Sequence, residues 1–545
     1  MAFKTNDSQQ IRLNDRLNNL TERERRILDK SWAKPFAERI FPFIDETKFA
    51  CLYCEDNGRP PTPVNVVVGS LLLKEVMRLT DEELLDNILF NTQFQYALHL
   101  TSFEEIPYSD RTPSRFRERL YKHELETYED LLKKEIERLG EEFTKILKIN
   151  SRLERVDSIM VSSSCKKMGR LELMYTCIAN LVKAVVRTGE ELLLPEHLLN
   201  YTEENRNALC YRLEQEEVQT RLETVAKDAL LIFEICGEAY AEFEEYQLLA
   251  RMLRNQTKDG ELKPGKEISP MSLQNPSDKD ATFRRKAGKA HHGYVANVVE
   301  TCSENGNIIT AYDYAENVVS DVDLGAAAIE DHGKQAEPLV MVSDGGFSSE
   351  ENFKAAEENN IILVTTNLTG KTPPEIVTEF QTENDSIIKC PAGHTPIDCT
   401  YNKGKEQYRA HFDKAACLNC PRKNECPITI QKKTAVIQLS KNTFERAKYA
   451  AKLGTEEYKK YARIRNGVEG IPSVLRRRYG VDNMPVRGYV RSKMWFGFKI
   501  GAMNVKRVIA AALCSSSISV FINKICRKAT QSIICIIHPT FAWVA

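Results

Sequence analysis

The sequence predicts a multi-domain α/β protein with a mixed-sheet core, a helical domain in front of it and two insertions within it. Three observations carry this expectation. At 545 residues the chain is far longer than one hydrophobic core requires. The hydrophobic period shifts from helical to strand-like near residue 150 and then alternates. Short apolar runs interrupted or ended by a lone aspartate occur on either side of a long helical stretch.

Taken in order, residues 1–130 read as helices with marked breaks. Arg59-Pro60-Pro61-Thr62-Pro63 stops one segment before the apolar run Val64 to Met77. Thr80 and Glu83 have capping-box spacing and predict a helix from Asp81 to about Phe90. Thr112 before Pro113 starts another, because proline is tolerated in a first helical turn. That segment carries Arg115, Arg117 and Arg119, which suit DNA backbone contacts and equally suit a solvated face.

Leu153 to Val161 is short, apolar and β-branched around Asp157, and predicts a strand. Leu222, Val225, Ala226, Ala229, Leu230 and Phe233 then form one amphipathic stripe, so residues 166–280 read as a helical insertion closed by the linker Gln256 to Asp280. A hairpin follows, Tyr294 to Thr301 and Ile308 to Tyr314, around Glu304-Asn305-Gly306-Asn307. A helix from Val322 to His332 leads into the strand Leu339 to Ser343, which ends at Asp344-Gly345-Gly346. A helix from near Ser348 and a strand from Ile361 to Thr365 complete the series. With the insertion removed, this is the element order of a ribonuclease-H-like mixed sheet.

Charge and cysteine usage narrow the function classes. The N-terminus has no apolar signal region, and no charge-free apolar run reaches the roughly 18 to 20 residues of a membrane helix, so neither secretion nor a membrane partner is expected. The run Val508 to Phe521 is too short and belongs to a buried or loosely packed C-terminal tail, residues 511–545. Fifteen cysteines in a long chain point to reduced thiols rather than a disulfide framework. The net charge of −1 conceals two blocks: Gly189 to Ala250 holds 15 acidic and 4 basic residues, whereas Arg463 to Arg507 holds 11 basic and 2 acidic. The second block suits phosphates, or is an ordinary solvated face.

Phosphodiester cleavage needs two divalent ions roughly 4 Å apart, and hard Mg²⁺ or Mn²⁺ wants carboxylate oxygens. Asp157 within one strand and Asp344 at the end of another are placed to supply them, although an isolated strand-end aspartate is more often a turn or cap. Cys390, Cys417, Cys420 and Cys426, with a Cys-x2-Cys pair and two outlying cysteines, suit one structural Zn²⁺ in an insert at 386–429 that is too small for its own core. His394, Cys399 and, less favourably, His411 are alternative ligands, and free buried thiols are the bland alternative. Cys51 and Cys54 read as buried apolar residues. His291 and His292 follow Arg284, Arg285, Lys286 and Lys289, a basic hairpin entry able to hold a substrate backbone. Trp495 and Phe498 read as core positions, with Arg491 and Lys493 facing out.

Val156-Asp157-Ser158-Ile159-Met160-Val161, Lys166-Lys167-Met168, the hairpin from Tyr294 and Ser343-Asp344-Gly345-Gly346-Phe347 together resemble the core of bacterial insertion-sequence DDE transposases, most closely insertion-sequence family 1182. Arg465 to Gly470, Ser473 to Gly480, Arg487-Gly488 and Asn504 to Arg507 resemble that family's glutamate segment, and the region from Arg59-Pro60 to Phe116 its helical N-terminal domain. The likeness runs from about residue 10 to residue 507. It implies Glu469 as the third metal-holding carboxylate, with Glu456 and Glu457 as fallbacks. One departure is that Gly467 and Gly470 flank Glu469, each costing a helix about 1 kcal/mol against alanine; Pro472 instead fits the first turn of a helix from Ile471 to Tyr479. The resemblance further implies a helical DNA-binding domain at 1–130 and a catalytic core from 150–165, 281–385 and 430–510. It also supports a zinc-binding reading of the cysteine insert. Expected DNA contacts are Arg115, Arg117, Arg119, Arg284, Arg285, Lys289, Arg465, Arg476, Arg477, Arg478 and Arg487. The implied partners are the element's terminal inverted repeats and target DNA, bound by a homodimer in the bacterial cytoplasm at the nucleoid. A nuclease without strand transfer, or an inactive DNA-binding derivative, are the alternatives.

Overall fold

In the computed structural model, which describes residues 3, 5–6, 15–54, 62–102, 106–149, 152–202, 210, 213–286, 288–368 and 370–537, with backbone alone after 514, the apolar run Val64–Met77 is one helix buried on every side from Val64 to Leu73. A helix apolar all round belongs inside a core rather than on its surface. The next helix, Asp81–Phe90, starts at the expected box: Glu83 N–H donates to Thr80 Oγ1 at 3.1 Å and Thr80 N–H to Glu83 Oε2 at 2.7 Å. The expected break at Arg59-Pro60-Pro61 lies outside the described residues.

The chain divides into two units, one of Met1–Asn150, Ser158–Val319 and Pro472–Ala545, the other of Ser151–Asp157 and Ser320–Ile471. Strand β1 (Leu153–Ser162) passes from the second to the first after Asp157.

In the first unit, β2 (Thr282–Lys286), β3 (Lys289–Ser303) and β4 (Gly306–Glu316) form an antiparallel set, with β3 bonded to both of the others and a bulge between Val299 and Glu300. The end of β1 lies on β3, where Ser163 N–H donates to His292 O at 3.0 Å. Gly293, at φ +139°, is required there: a Cβ would stand 2.4 Å from Val161 O. The Leu131–Ile146 helix lies on β4 through Gly140, whose Cβ would stand 2.7 Å from Ile309 O. The long Tyr489–Ile537 helix covers the same strand. Its Asn504 side chain accepts from Ile309 N–H at 3.0 Å and donates to Ile309 O at 2.7 Å, as a neighbouring strand would. Helices Arg170–Arg187, Gln215–Cys236 and Glu244–Gln256 share a separate apolar core that includes Ile178, Leu181, Ala229, Ile232 and Leu249.

The second unit begins with the first half of β1, which runs parallel to β5 (Leu339–Ser343), itself parallel to β6 (Ile361–Thr365). The Glu350–Glu358 helix makes the β5 to β6 crossover that parallel strands need. An antiparallel sheet follows, in the order Asp398–Asn402, Gln407–Asp413, Thr434–Ser440, Thr429–Ile430. Helices Lys441–Leu453 and Glu456–Asn466 then lead to a single 3-10 turn, Gly467–Glu469. The whole is a mixed α/β architecture with many helices. Among the described residues no helix is long and apolar enough to cross a membrane.

Three local readings need correction, and one linker is held more firmly than its composition suggests. The basic run Thr282–Lys286 is a strand, because β3 offers it a ladder that its own sequence does not advertise. The linker Gln256 to Asp280 is anchored by buried Asp278, which accepts from Tyr294 Oη at 2.6 Å and Gly488 N–H at 3.2 Å. Lys493 faces inward, paired with Glu124 and, at 3.0 Å, with Asp130. Cys51 and Cys54 are exposed rather than buried.

Candidate active site

The site follows from the register of two parallel strands. Arg155 is paired with Val342, so two residues further on Asp157 and Asp344 stand level. Asp157 is flanked by the buried Val156 and Ile159 and is itself half-buried. Asp344 directly follows β5 and caps the turn Gly345–Phe347, its Oδ1 accepting from Gly346 N–H at 2.8 Å. Gly345 has no room for a side chain, since a Cβ would meet Asn367 O at 2.5 Å. Asn367 Oδ1 in turn accepts from the Gly345 N–H and fixes the loop that presents Asp344.

Arg465, in the last turn of the Glu456–Asn466 helix, projects its guanidinium among the acids. Its Nη2 lies 3.8 Å from Asp157 Oδ1 and 3.8 Å from Asp344 Oδ2, and its Nη1 lies 2.6 Å from Glu469 Oε1. The Arg465 side chain is only 17% exposed, against 63% for Glu469. One cation therefore gathers three carboxylates separated by more than a hundred residues each, and the two aspartate oxygens lie within twice 3.8 Å of each other. The fallback Glu456 is instead an exposed residue paired with Lys459 at 2.8 Å. Among the described residues, no three His, Cys, Asp or Glu side chains stand at metal-holding distance. The donor set itself, hard carboxylate oxygens converging on one positive charge, is of the kind that suits Mg²⁺ or Mn²⁺.

Glu469 sits in the 3-10 turn between two helices, and its glycine neighbour has a steric cause. Arg155, on β1, reaches under this turn and donates from Nη1 to Ile464 O at 2.9 Å. A Cβ at Gly467 would stand 2.0 Å from that nitrogen. Sequence reading missed Arg155; the available signal was its position two residues before Asp157, on the same face of the strand.

The expected DNA contacts divide by what already holds them. Arg115, Arg285, Lys289, Arg477 and Arg487 are exposed. Arg117 is paired with Asp81, Arg119 lies 4.4 Å over the Tyr53 ring, and Arg284 donates to Val319 O at 2.8 Å. Arg476 is exposed, pairs with Asp482 at 3.3 Å and donates to Met160 O at 3.3 Å, whereas the Nε of Arg478 is buried. Burial, followed by Lys167, Arg476 and Lys289, lowers the pKa of His291, the mark of a basic surface around β3.

Cys390, Cys417, Cys420 and Cys426 line one small cavity together with His394. Burial and then the other three thiols push Cys426 up to about 11. Cys399 accepts from Ile387 N–H at 3.4 Å, and His411 is paired with Asp398 at 3.2 Å, so both are engaged elsewhere.

Residues 389–509 match a family described as Transposase DDE domain, and residues 23–119 match one described as Transposase domain (DUF772). The first span contains Arg465, Glu469 and the four clustered cysteines, while Asp157 and Asp344 lie outside both spans. No curated protein and no solved structure matches the chain.

Proposed function

We infer that this DNA transposase of an insertion element, a metal-dependent enzyme that cleaves DNA and transfers strands, works through Asp157, Asp344 and Glu469 in a ribonuclease-H-like core. The observation that carries this reading is the meeting of all three carboxylates on Arg465. Asp157, Asp344 and Glu469 would hold two Mg²⁺ or Mn²⁺ ions, which when bound activate the attacking oxygen and stabilise the leaving one. The Gly346 N–H orients Asp344 by holding one of its oxygens and leaves the other directed at Arg465. Arg465 offsets the mutual repulsion of the acids. Water attacks first and frees a 3′-hydroxyl, which then attacks target DNA; both steps are in-line displacements at phosphorus.

The finer reading is a member of insertion-sequence family 1182, with a DNA-binding domain at 1–130, a core from 150–165, 281–385 and 430–510, a helical insertion at 166–280 and a tail at 511–545. Its insert at 386–429 takes one structural Zn²⁺ through Cys390, Cys417, Cys420 and Cys426, supported by their common cavity. Exposed Arg115, Arg285, Lys289, Arg477 and Arg487 contact phosphates of the inverted repeats or the target, and the protein acts as a homodimer on DNA at the bacterial nucleoid. A pre-cleaved element end bearing a 3′-hydroxyl tests the chemistry. Joined product with the parent and none with Asp157→Asn, Asp344→Asn or Glu469→Gln supports the assignment. Hydrolysis without joining would mean a nuclease, and binding without cleavage in Mn²⁺ an inactive derivative.

A further inference from the structure

We propose that Arg155 is a positioning residue for the third carboxylate, linking the strand of Asp157 to the turn of Glu469, and that Gly467 is its obligatory counterpart. The proposal rests on the assignment of Glu469 made above. Arg155 is 7% exposed and shares a strand face with Asp157. Its guanidinium donates to the Ile464 carbonyl at 2.9 Å, an acceptor in the helix's last turn that also takes the Gly467 N–H, so Arg155 and the glycine meet on one oxygen. It also fills the space that any Gly467 side chain would take, with 2.0 Å between Nη1 and a Cβ there.

This contact fixes where the Glu456–Asn466 helix stops and how the 3-10 turn leaves it. Arg465 lies one residue past the bonded carbonyl and Glu469 two residues past the glycine. A shift of the turn therefore moves the exposed Glu469 relative to two aspartates held by the sheet. Arg155 touches no reacting atom in this arrangement. Its effect passes through the geometry of the metal-holding acids, in the manner of residues that orient ligands from behind.

The test uses full-length protein with Arg155→Lys, Arg155→Met, Gly467→Ala, the double variant Arg155→Met with Gly467→Ala, and Glu469→Gln. Mn²⁺ binding is followed by paramagnetic resonance titration, binding to an element end by mobility shift, and cleavage against Mn²⁺ concentration. Arg155→Met and Gly467→Ala are expected to weaken Mn²⁺ binding and raise the concentration for half-maximal cleavage by about 10- to 100-fold, with DNA affinity unchanged and Arg155→Lys intermediate. Gly467→Ala is expected to add nothing once Arg155 is methionine, because the clash is gone. If Arg155→Met does not fold, Gly467→Ala probes the same contact from the other side. Unaltered Mn²⁺ binding in these variants, with Glu469→Gln inactive, overturns the positioning role and leaves the Glu469 assignment standing. An active Glu469→Gln overturns both.

Discussion

Asp157 and Asp344 stand level on neighbouring parallel strands, and a single guanidinium nitrogen, Nη2 of Arg465, lies 3.8 Å from an oxygen of each. A cation placed between two carboxylates, be it a side chain or a metal ion, offsets their mutual repulsion.

Asp157→Asn and Asp344→Asn are each expected to reduce cleavage and strand transfer by about a thousandfold or more, equivalent to about 4 kcal/mol of transition-state stabilisation. Element-end binding should persist, because neither residue contributes positive charge. Gel assays of both activities on one substrate check this, and loss of binding in parallel with cleavage would point to misfolding instead.

Arg465→Met removes the countercharge from three acids. Metal-free stability should fall by about 1 kcal/mol, a value kept small because Glu469 is largely exposed. Mn²⁺ should then raise the melting temperature more in the variant than in the parent, since the metal replaces a missing charge. Calorimetric scans with and without Mn²⁺ measure the difference.

His332 Nε2 lies 2.6 Å from Glu154 Oε2, with its Nδ1 2.7 Å from Ala328 O. Burial works to lower the pKa of His332 and is outweighed by the hydrogen bond and charge of Glu154 and by the Ala328 carbonyl, so the net shift is upward. The protonated ring therefore adds stability that is complete below about pH 6.5, the ordinary histidine value, and is lost as pH rises through the raised folded value. His332→Gln should cost about 1 to 2 kcal/mol at pH 6 and markedly less at pH 9, read from denaturant titrations at the two pH values.

Gly293→Ala places a methyl group against Val161 O and Ser163 N, at 2.4 and 2.5 Å, in a backbone conformation closed to other residues. A loss of about 3 kcal/mol or more is expected. Urea unfolding or soluble yield checks it, and a change below 1 kcal/mol would mean that β1 and β3 separate easily.

Purified protein should carry about one equivalent of zinc. Cys417→Ser or Cys420→Ser should abolish it and lower the melting temperature, as atomic absorption and calorimetry would record. Zinc-free parent protein of unchanged stability would return these residues to ordinary buried thiols.

The strands bearing Asp157 and Asp344 were legible because short β-branched runs have few other uses, and strand ends fix where their carboxylates emerge. The helix from Asp81 was legible through the Thr80 and Glu83 box. The position of Arg155 beside Asp157 was legible, but its role was not, because that role depends on a glycine more than three hundred residues away, a pairing no local pattern encodes. For the same reason Gly467 read as a flaw in a helix rather than as room for a guanidinium. The strand Thr282–Lys286 was hidden by its charges, and the inward-facing Lys493 by the rule that lysines face water, which buried Glu124 and half-buried Asp130 override.

The bonds from Asn504 to Ile309 and the ion pair of Lys499 with Glu75 join the last long helix to segments made far earlier. While the ribosome is still short of residue 489, the greasy Val64–Met77 segment has no final cover. A chain that stops short of residue 489 therefore leaves that apolar surface bare, and such surfaces aggregate or are degraded.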